Sequence, residues 1–257
     1  QSDQTFISIL NNLRNNVVTS SDIQVLNQYV NPAFQSHTQP GWITVTTHNH
    51  KADKINADAI NQLDQKSFYY QAEIVSDFPE KIYPLDATLE LKVGAQVMFI
   101  KNDISQDKLF YNGKMATVTK LTANEIFVRF PETGETIEVE KYEWQNIKFT
   151  VNELTKEVEE EVLGTFTHYP IKLAWAITVH KSQGLTFDKA ALDVSQVFAP
   201  GQAYVALSRL RSLNGLILLS PIRMNGMVTD QEITEFAKNK SSEEILEYNL
   251  QAKTLQY

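Results

Sequence analysis

Apolar positions recur at helical spacing from the start of the chain. Phe6, Ile9, Leu10 and Leu13 form one stripe, which predicts an amphipathic helix over residues 1–16, closed by Asn15 and Asn16. Ser20 or Ser21 is placed to cap a second helix over 22–29, and Pro32 ends it. The run WITVT at 42–46 alternates and is rich in β-branched residues, so it predicts a strand. A polar turn, Thr47-His48-Asn49-His50, follows, and a helix is expected over 51–63. A strand that ends in a polar turn and feeds a helix is the usual ligand position on an open α/β sheet.

From Lys92 the texture changes to short alternating segments at 95–100, 114–121, 125–130 and 136–140, with two further runs before Tyr169. Asn112-Gly113 and Glu132-Thr133-Gly134 supply turn chemistry between them. Short strands at this spacing predict a small barrel of roughly 75 residues. After Pro170 the α/β rhythm returns. Residues 173–183 read best as a helix, although their β-branched run leaves a strand open. A strand at 189–194, a helix at 201–212 and a strand at 215–220 follow. This series predicts a parallel sheet with right-handed crossovers. The expected fold class is therefore α/β, a parallel sheet flanked by helices and interrupted by a small β-barrel. The expected boundaries are 1–92 and 171–226 for the two parts of the α/β domain, 93–170 for the insertion, and 227–257 for a C-terminal extension. In that extension Ile233, Phe236, Ala237, Ile245, Leu246 and Leu250 supply a helical apolar stripe over 230–257.

Composition narrows the function classes. With 257 residues the chain can bury a sizeable core, and no apolar run approaches the ~18 residues of a membrane span. There is no cysteine, which excludes disulfides and thiolate metal sites and fits a reducing, intracellular setting. Gln1 in place of methionine reads as a fragment or a processed product. The net charge of −8 argues against a broad electrostatic grip on nucleic acid. Residues 171–226, however, hold Lys172, Lys181, Lys189, Arg209, Arg211 and Arg223 against Asp188 and Asp193, a local +4 that leaves −12 on the rest. That asymmetry suits a narrow polyanion site; the alternative is that these cations scatter over a solvated face.

The candidate chemistry concentrates in the same stretch. TVHKSQGLT at 178–186 offers His180, Lys181, Ser182 and Gln183 as consecutive polar groups, and Gly184 lets a backbone approach. YVALSR at 204–209 holds one of only five arginines in the chain, and Arg211 is another. On a helix over 201–212, Tyr204, Ser208 and Arg211 would share one face, with Val205 and Arg209 beside it. An arginine projecting from such a helix could stabilise phosphoryl charge in a site built mainly by another domain, or simply pair with a surface carboxylate. Thr47, His48 and Asn49 are a weaker candidate, since Asn49 could serve only as a helix cap. His48-x-His50 lacks a third ligand nearby, and no metal site is expected. A phosphate-binding loop needs Gly-x4-Gly-Lys-Ser/Thr. The one Gly-Lys pair, Gly113-Lys114, is followed by Met115 and has Lys108 where the first glycine should stand. Hydrolysis of ATP by this chain alone through that loop is excluded.

HKSQGLT together with YVALSR resembles motifs V and VI of superfamily-one helicases. LAWAITVHKSQGLTFDKAAL and LKVGAQVMFIKND…YNG are similar to the Pif/RecD-like 5′-to-3′ DNA helicases of the Pif-one type, over residues 1 to about 221. The opening QSDQTFISILNNLR looks like the segment after that family's motif IV arginine, so the sequence reads as starting at the second motor domain. The resemblance implies a second RecA-like domain with an SH3-like barrel carried within it. It implies that Arg209 is an arginine finger reaching the ATP γ-phosphate, and that Gln183 and Gly184 lie near the nucleotide. It also implies that His180, Lys181 and Ser182, with Thr47, His48 and Asn49, face single-stranded DNA. The implied cofactors are ATP and Mg in a full-length protein, with none bound by this chain alone. The implied partners are single-stranded DNA and a first RecA-like domain in cis; no membrane is expected, and the chain is expected to be a monomer. Two other readings stay open, a stand-alone single-strand-binding module and a peptide-binding module built on the barrel.

Overall fold

The computed structural model describes residues 3–151, 157–193 and 201–223. In chain order its elements are α1 (Gln4–Arg14), α2 (Ser20–Asn27), β1 (Ile43–Thr46), α3 (Asn49–Asn61), β2 (Phe68–Gln71), β3 (Glu73–Ser76), β4 (Thr88–Leu91), β5 (Gln96–Phe99), β6 (Met115–Leu121), β7 (Ile126–Arg129) and β8 (Thr136–Glu138). Then come β9 (Tyr142–Val151), β10 (Val158–His168), β11 (Ile171–Leu173), β12 (Ala176–Thr178), β13 (Ala190–Leu192), α4 (Gln202–Leu207) and β14 (Leu216–Leu218).

Four strands make a parallel sheet in the order β12-β1-β13-β14. Thr46 stands beside Thr178, Val45 beside Leu192, and Ala190 beside Leu216. All four residues of β1 are buried, as befits a parallel strand covered on both faces. The α1 stripe reads as expected: Phe6, Ile9 and Leu13 are buried in the apolar cluster that also takes Ile43, Leu192, Leu207 and Leu218. The parallel α/β arrangement expected from the alternating pattern is present.

The middle of the chain forms antiparallel sheets: β11-β5-β6-β7-β8, β3-β10-β9 and the pair β2-β4. A second apolar cluster gathers Phe99, Phe130, Ile171 and Trp175 with Tyr70, Leu91 and, from α3, Ala59 and Ile60. Phe99 and Phe110 stack with centroids 4.0 Å apart. Gly134 (φ 71°) makes the turn between β7 and β8, its N–H donating to Phe130 O at 2.9 Å. β5 and β11 pair side by side, with Phe99 opposite Ile171. Only Ala174 and Trp175 separate β11 from β12 of the parallel sheet.

Several expectations are corrected. Residues 173–183 are not a helix; they hold the end of β11, all of β12 and a turn. Pairing with β1 decides it, because Val179 N donates to Thr46 O and Thr44 N to Trp175 O, and tertiary pairing overrides a weak local preference. The helix expected over 201–212 ends at Leu207, so Tyr204, Ser208 and Arg211 do not share a helical face. No strand was expected between 64 and 92, yet β2, β3 and β4 lie there. The cap of α2 is Thr19, not Ser20 or Ser21. Its hydroxyl accepts from Asp22 N at 3.2 Å, and Asp22 accepts from Thr19 N at 2.8 Å, a reciprocal capping box. Thr19→Ala is expected to lower stability by about 1 kcal/mol in urea unfolding, whereas Ser20→Ala should leave it within a few tenths. The extension over 230–257 lies outside the described residues.

Candidate nucleotide and nucleic-acid interface

Two polar turns leave the same end of the parallel sheet. Since Thr46 and Thr178 stand side by side on parallel neighbours, the residues after them emerge together at the C-terminal ends of the strands, where ligands bind on such sheets. After β12 the chain closes a tight turn. Ser182 N donates to Thr178 O at 3.0 Å and Ser182 Oγ to Val179 O at 2.7 Å. Gln183 N donates to His180 O at 3.2 Å, and Leu185 N to Ser182 O at 3.0 Å. Gly184 has φ 79°, a left-handed conformation that favours glycine, and nothing lies within 4 Å of where its Cβ would stand. The consequence is a sorted surface: His180, Lys181, Gln183 and Gly184 are exposed, while Val179, Ser182 and Leu185 are buried. Ser182 therefore holds the turn from beneath instead of presenting its hydroxyl.

The turn after β1 is looser. Thr47 Oγ1 lies 2.7 Å from His48 Nδ1. His48 occupies the N-cap position of α3 without a side-chain capping bond, and Asn49 is already in the first helical turn. Both are exposed, and the His48 and His50 rings lie 5.4 Å apart. Among the described residues no group of three His, Cys, Asp or Glu side chains could hold a metal ion. Gly113-Lys114 leads into β6 of an antiparallel sheet, not into a helix.

Arg209 lies two residues beyond the end of α4, and its side chain folds back on the chain. Nε donates to Val205 O at 3.0 Å, Nη1 to Leu185 O at 3.3 Å and Nη2 to Ser208 Oγ at 3.0 Å. Among the described residues three of its five N–H groups are engaged in this way, and two remain for another acceptor. The backbone seals the same junction. Phe187 N donates to Arg209 O at 2.7 Å, Arg211 N donates to Phe187 O at 3.3 Å, and Phe187 bridges to Leu210 in parallel. Gly215 closes the far side, since a Cβ there would come within 1.7 Å of Asp188 O. The segment after Gly184 and the segment carrying Arg209 are thus tied together by backbone and side-chain hydrogen bonds. Among the described residues no carboxylate pairs with Arg209. Arg211 does pair with Asp188, at 3.0 Å with both side chains over half exposed, a surface ion pair of small energetic weight.

A cavity of about 680 Å³ opens between α3, residues 84–86, β4, β11 and the 181–185 turn. Asn49, Lys181 and Gln183 line it, together with Lys172, which the pattern counts only toward the local charge, and Asn56 and Asp86, which it does not single out. Burial pulls the Lys172 ammonium down to about 8, helped by the charge of Lys181 and opposed by Asp86. A lysine inside an otherwise apolar run is the signal that would have found it. His180, Thr47 and His48 stay outside this lining, and so do Gly184 and Arg209.

No family model matches the chain. The ATP-dependent DNA helicase Pif1 of Bdellovibrio bacteriovorus is 33% identical over 244 residues, covering 92% of this chain and 52% of that protein. Unliganded Pif1 from Bacteroides sp. superposes with a TM-score of 0.85 at 39% identity, over 95% of this chain and 55% of that one. Bacteroides Pif1 bound to ssDNA superposes less well, with a TM-score of 0.67 at 40% identity over 93% of this chain and 54% of that one. The chain spans about half the length of that curated relative and of those solved chains.

Proposed function

The chain is homologous to the Pif1 helicases over about half of their length, and on that premise we propose that it forms the second motor half of an ATP-dependent DNA helicase. The parallel sheet is read as the second RecA-like domain and the antiparallel insertion as its SH3-like barrel. The observation that carries the proposal is the sealed junction of Leu185, Phe187, Arg209 and Leu210. It joins a polar turn suited to DNA to an arginine suited to phosphate, so that a change at one reaches the other.

The roles divide by position. Arg209 is the arginine finger, using the two N–H groups left over from its own chain. Gln183 and Gly184 border the nucleotide. His180 and Lys181, with Thr47, His48 and Asn49, follow the backbone of single-stranded DNA, and Ser182 supports them from below. ATP with Mg would supply the phosphoryl chemistry. The residues present fit one wall of that site: an arginine fork and a carboxamide, with no glycine loop to cradle phosphates. By itself the chain is therefore read as ATPase-inactive and as a monomer. The better superposition on unliganded Bacteroides Pif1 supports reading this arrangement of sheet and insertion as the DNA-free one.

The test is binding of a fluorescein-labelled oligothymidine to the 257-residue chain, followed by anisotropy at low salt. Weak, salt-dependent binding that Lys181→Ala lowers roughly 5- to 10-fold is expected, with a salt slope reduced by about 1. Unchanged binding in that variant would remove the turn from the DNA track. Tight binding by the chain alone would favour the stand-alone module.

A further inference from the structure

Asn56 makes three hydrogen bonds to the edge of the parallel sheet. Its Nδ2 donates to Ala176 O at 2.9 Å, and its Oδ1 accepts from Ala176 N at 2.9 Å and from Trp175 N at 3.0 Å. Among the described residues the sheet order makes β12 an edge strand, with β1 on its paired side. Trp175 O and Val179 N face β1, so the N–H and C=O of Ala176 point to the open side. There the carboxamide of Asn56 stands in for the peptide group of a missing strand. Trp175 and Ala176 are each no more than 5% exposed, so without Asn56 these backbone groups would be buried and unpaired unless the strand shifted.

The placement matters because of what lies at either end. Asn56 sits on α3, whose first turn holds Asn49 and follows His48. The strand it grips runs two residues past Ala176 into the turn that presents His180 and Lys181. Besides the β1–β12 pairing, Asn56 is a side-chain tie between α3 and β12, the elements next to the two polar turns. Its own side chain also lines the cavity that Asn49, Lys181 and Gln183 share.

We infer that Asn56 is a positioning residue for nucleic-acid binding, fixing β12 against α3 so that Lys181 meets a backbone phosphate held at the same time by the His48–Asn49 turn. This rests on the DNA-track reading above. It makes a claim that a purely structural residue would not satisfy: the contribution of Lys181 to binding depends on Asn56, although the two side chains need not touch.

The experiment is a double-substitution cycle on the 257-residue chain with the same labelled oligothymidine. Asn56→Ala is expected to weaken binding 5- to 10-fold. Lys181→Ala added to it is expected to weaken binding less than 2-fold further, against its full effect in the parent chain. Asn56→Gln keeps the carboxamide but sets it one methylene off, so the effect of Lys181→Ala should fall part of the way; it also serves if Asn56→Ala does not fold. Costs that simply add in both backgrounds would overturn the inference while leaving the DNA track in place. A silent Lys181→Ala in the parent chain would overturn both.

Discussion

Arg209→Ala, in a protein that carries a first RecA-like domain together with this chain, is expected to lower ATP turnover at least about 10³-fold while single-strand affinity changes less than 3-fold. Stabilisation of transferring phosphoryl charge by an arginine finger is worth 10³–10⁵ in turnover, which corresponds to about 4 kcal/mol or more. The side chain's three bonds to Val205, Leu185 and Ser208 hold it in one rotamer, so little freedom remains to be lost when a phosphate arrives. Arg209→Lys keeps the charge but cannot hold both carbonyls and a phosphate, and a loss beyond 10² is expected there too. Steady-state ATPase with saturating oligothymidine reads both variants. Turnover near that of the parent in Arg209→Ala would remove the finger assignment.

A second large effect is expected on stability. His168 is completely buried, neither ring nitrogen has a hydrogen-bond partner among the described residues, and its ring lies 6.1 Å from those of Phe166 and Tyr169. Burial, with the charge of Lys141 second, pulls its pKa from 6.5 down to about 4. The unfolded chain takes up the proton near 6.5 and the folded chain only near 4, so between those values the unfolded state binds more protons. Folding stability should therefore fall as pH drops from 6.5 to 4, by roughly 3 kcal/mol from this group, and should not respond to it above 6.5. Urea unfolding at pH 7.5 and pH 4.5 measures the loss. His168→Phe, similar in volume and unable to take a proton, should show a pH dependence smaller by that amount. An identical dependence in the two proteins would assign the acid sensitivity to other groups.

How much of this was readable in the residues depends on what held each element in place. The α1 stripe and β1 were legible because their periods are strong and local. The pattern extends α4 too far because nothing in 201–212 says that Leu210 bridges to Phe187, a contact made across more than twenty residues of chain. The run 173–183 is ambiguous by composition and becomes a strand only through its neighbour β1. β2 and β4 were missed although Tyr70, Leu89 and Leu91 alternate into the core; the segments are four residues each, too short to stand out between turns. At the site, the polar residues of 178–186 announced themselves, yet their sorting did not. Which of them point outward follows from Ser182 turning under to reach Val179 O. Lys172 and Asn56 carried no motif at all, and only the cavity brings them beside Lys181.

The two residues between β11 and β12 have a mechanical meaning. Trp175 is buried and Ala174 fully so, and Ala174 N donates to Gln96 O within the insertion while Trp175 O accepts from Thr44 in the parallel sheet. The link has no slack. A displacement of β11 would therefore be passed to β12 as by a short crankshaft, to the base of the turn that carries His180 and Lys181.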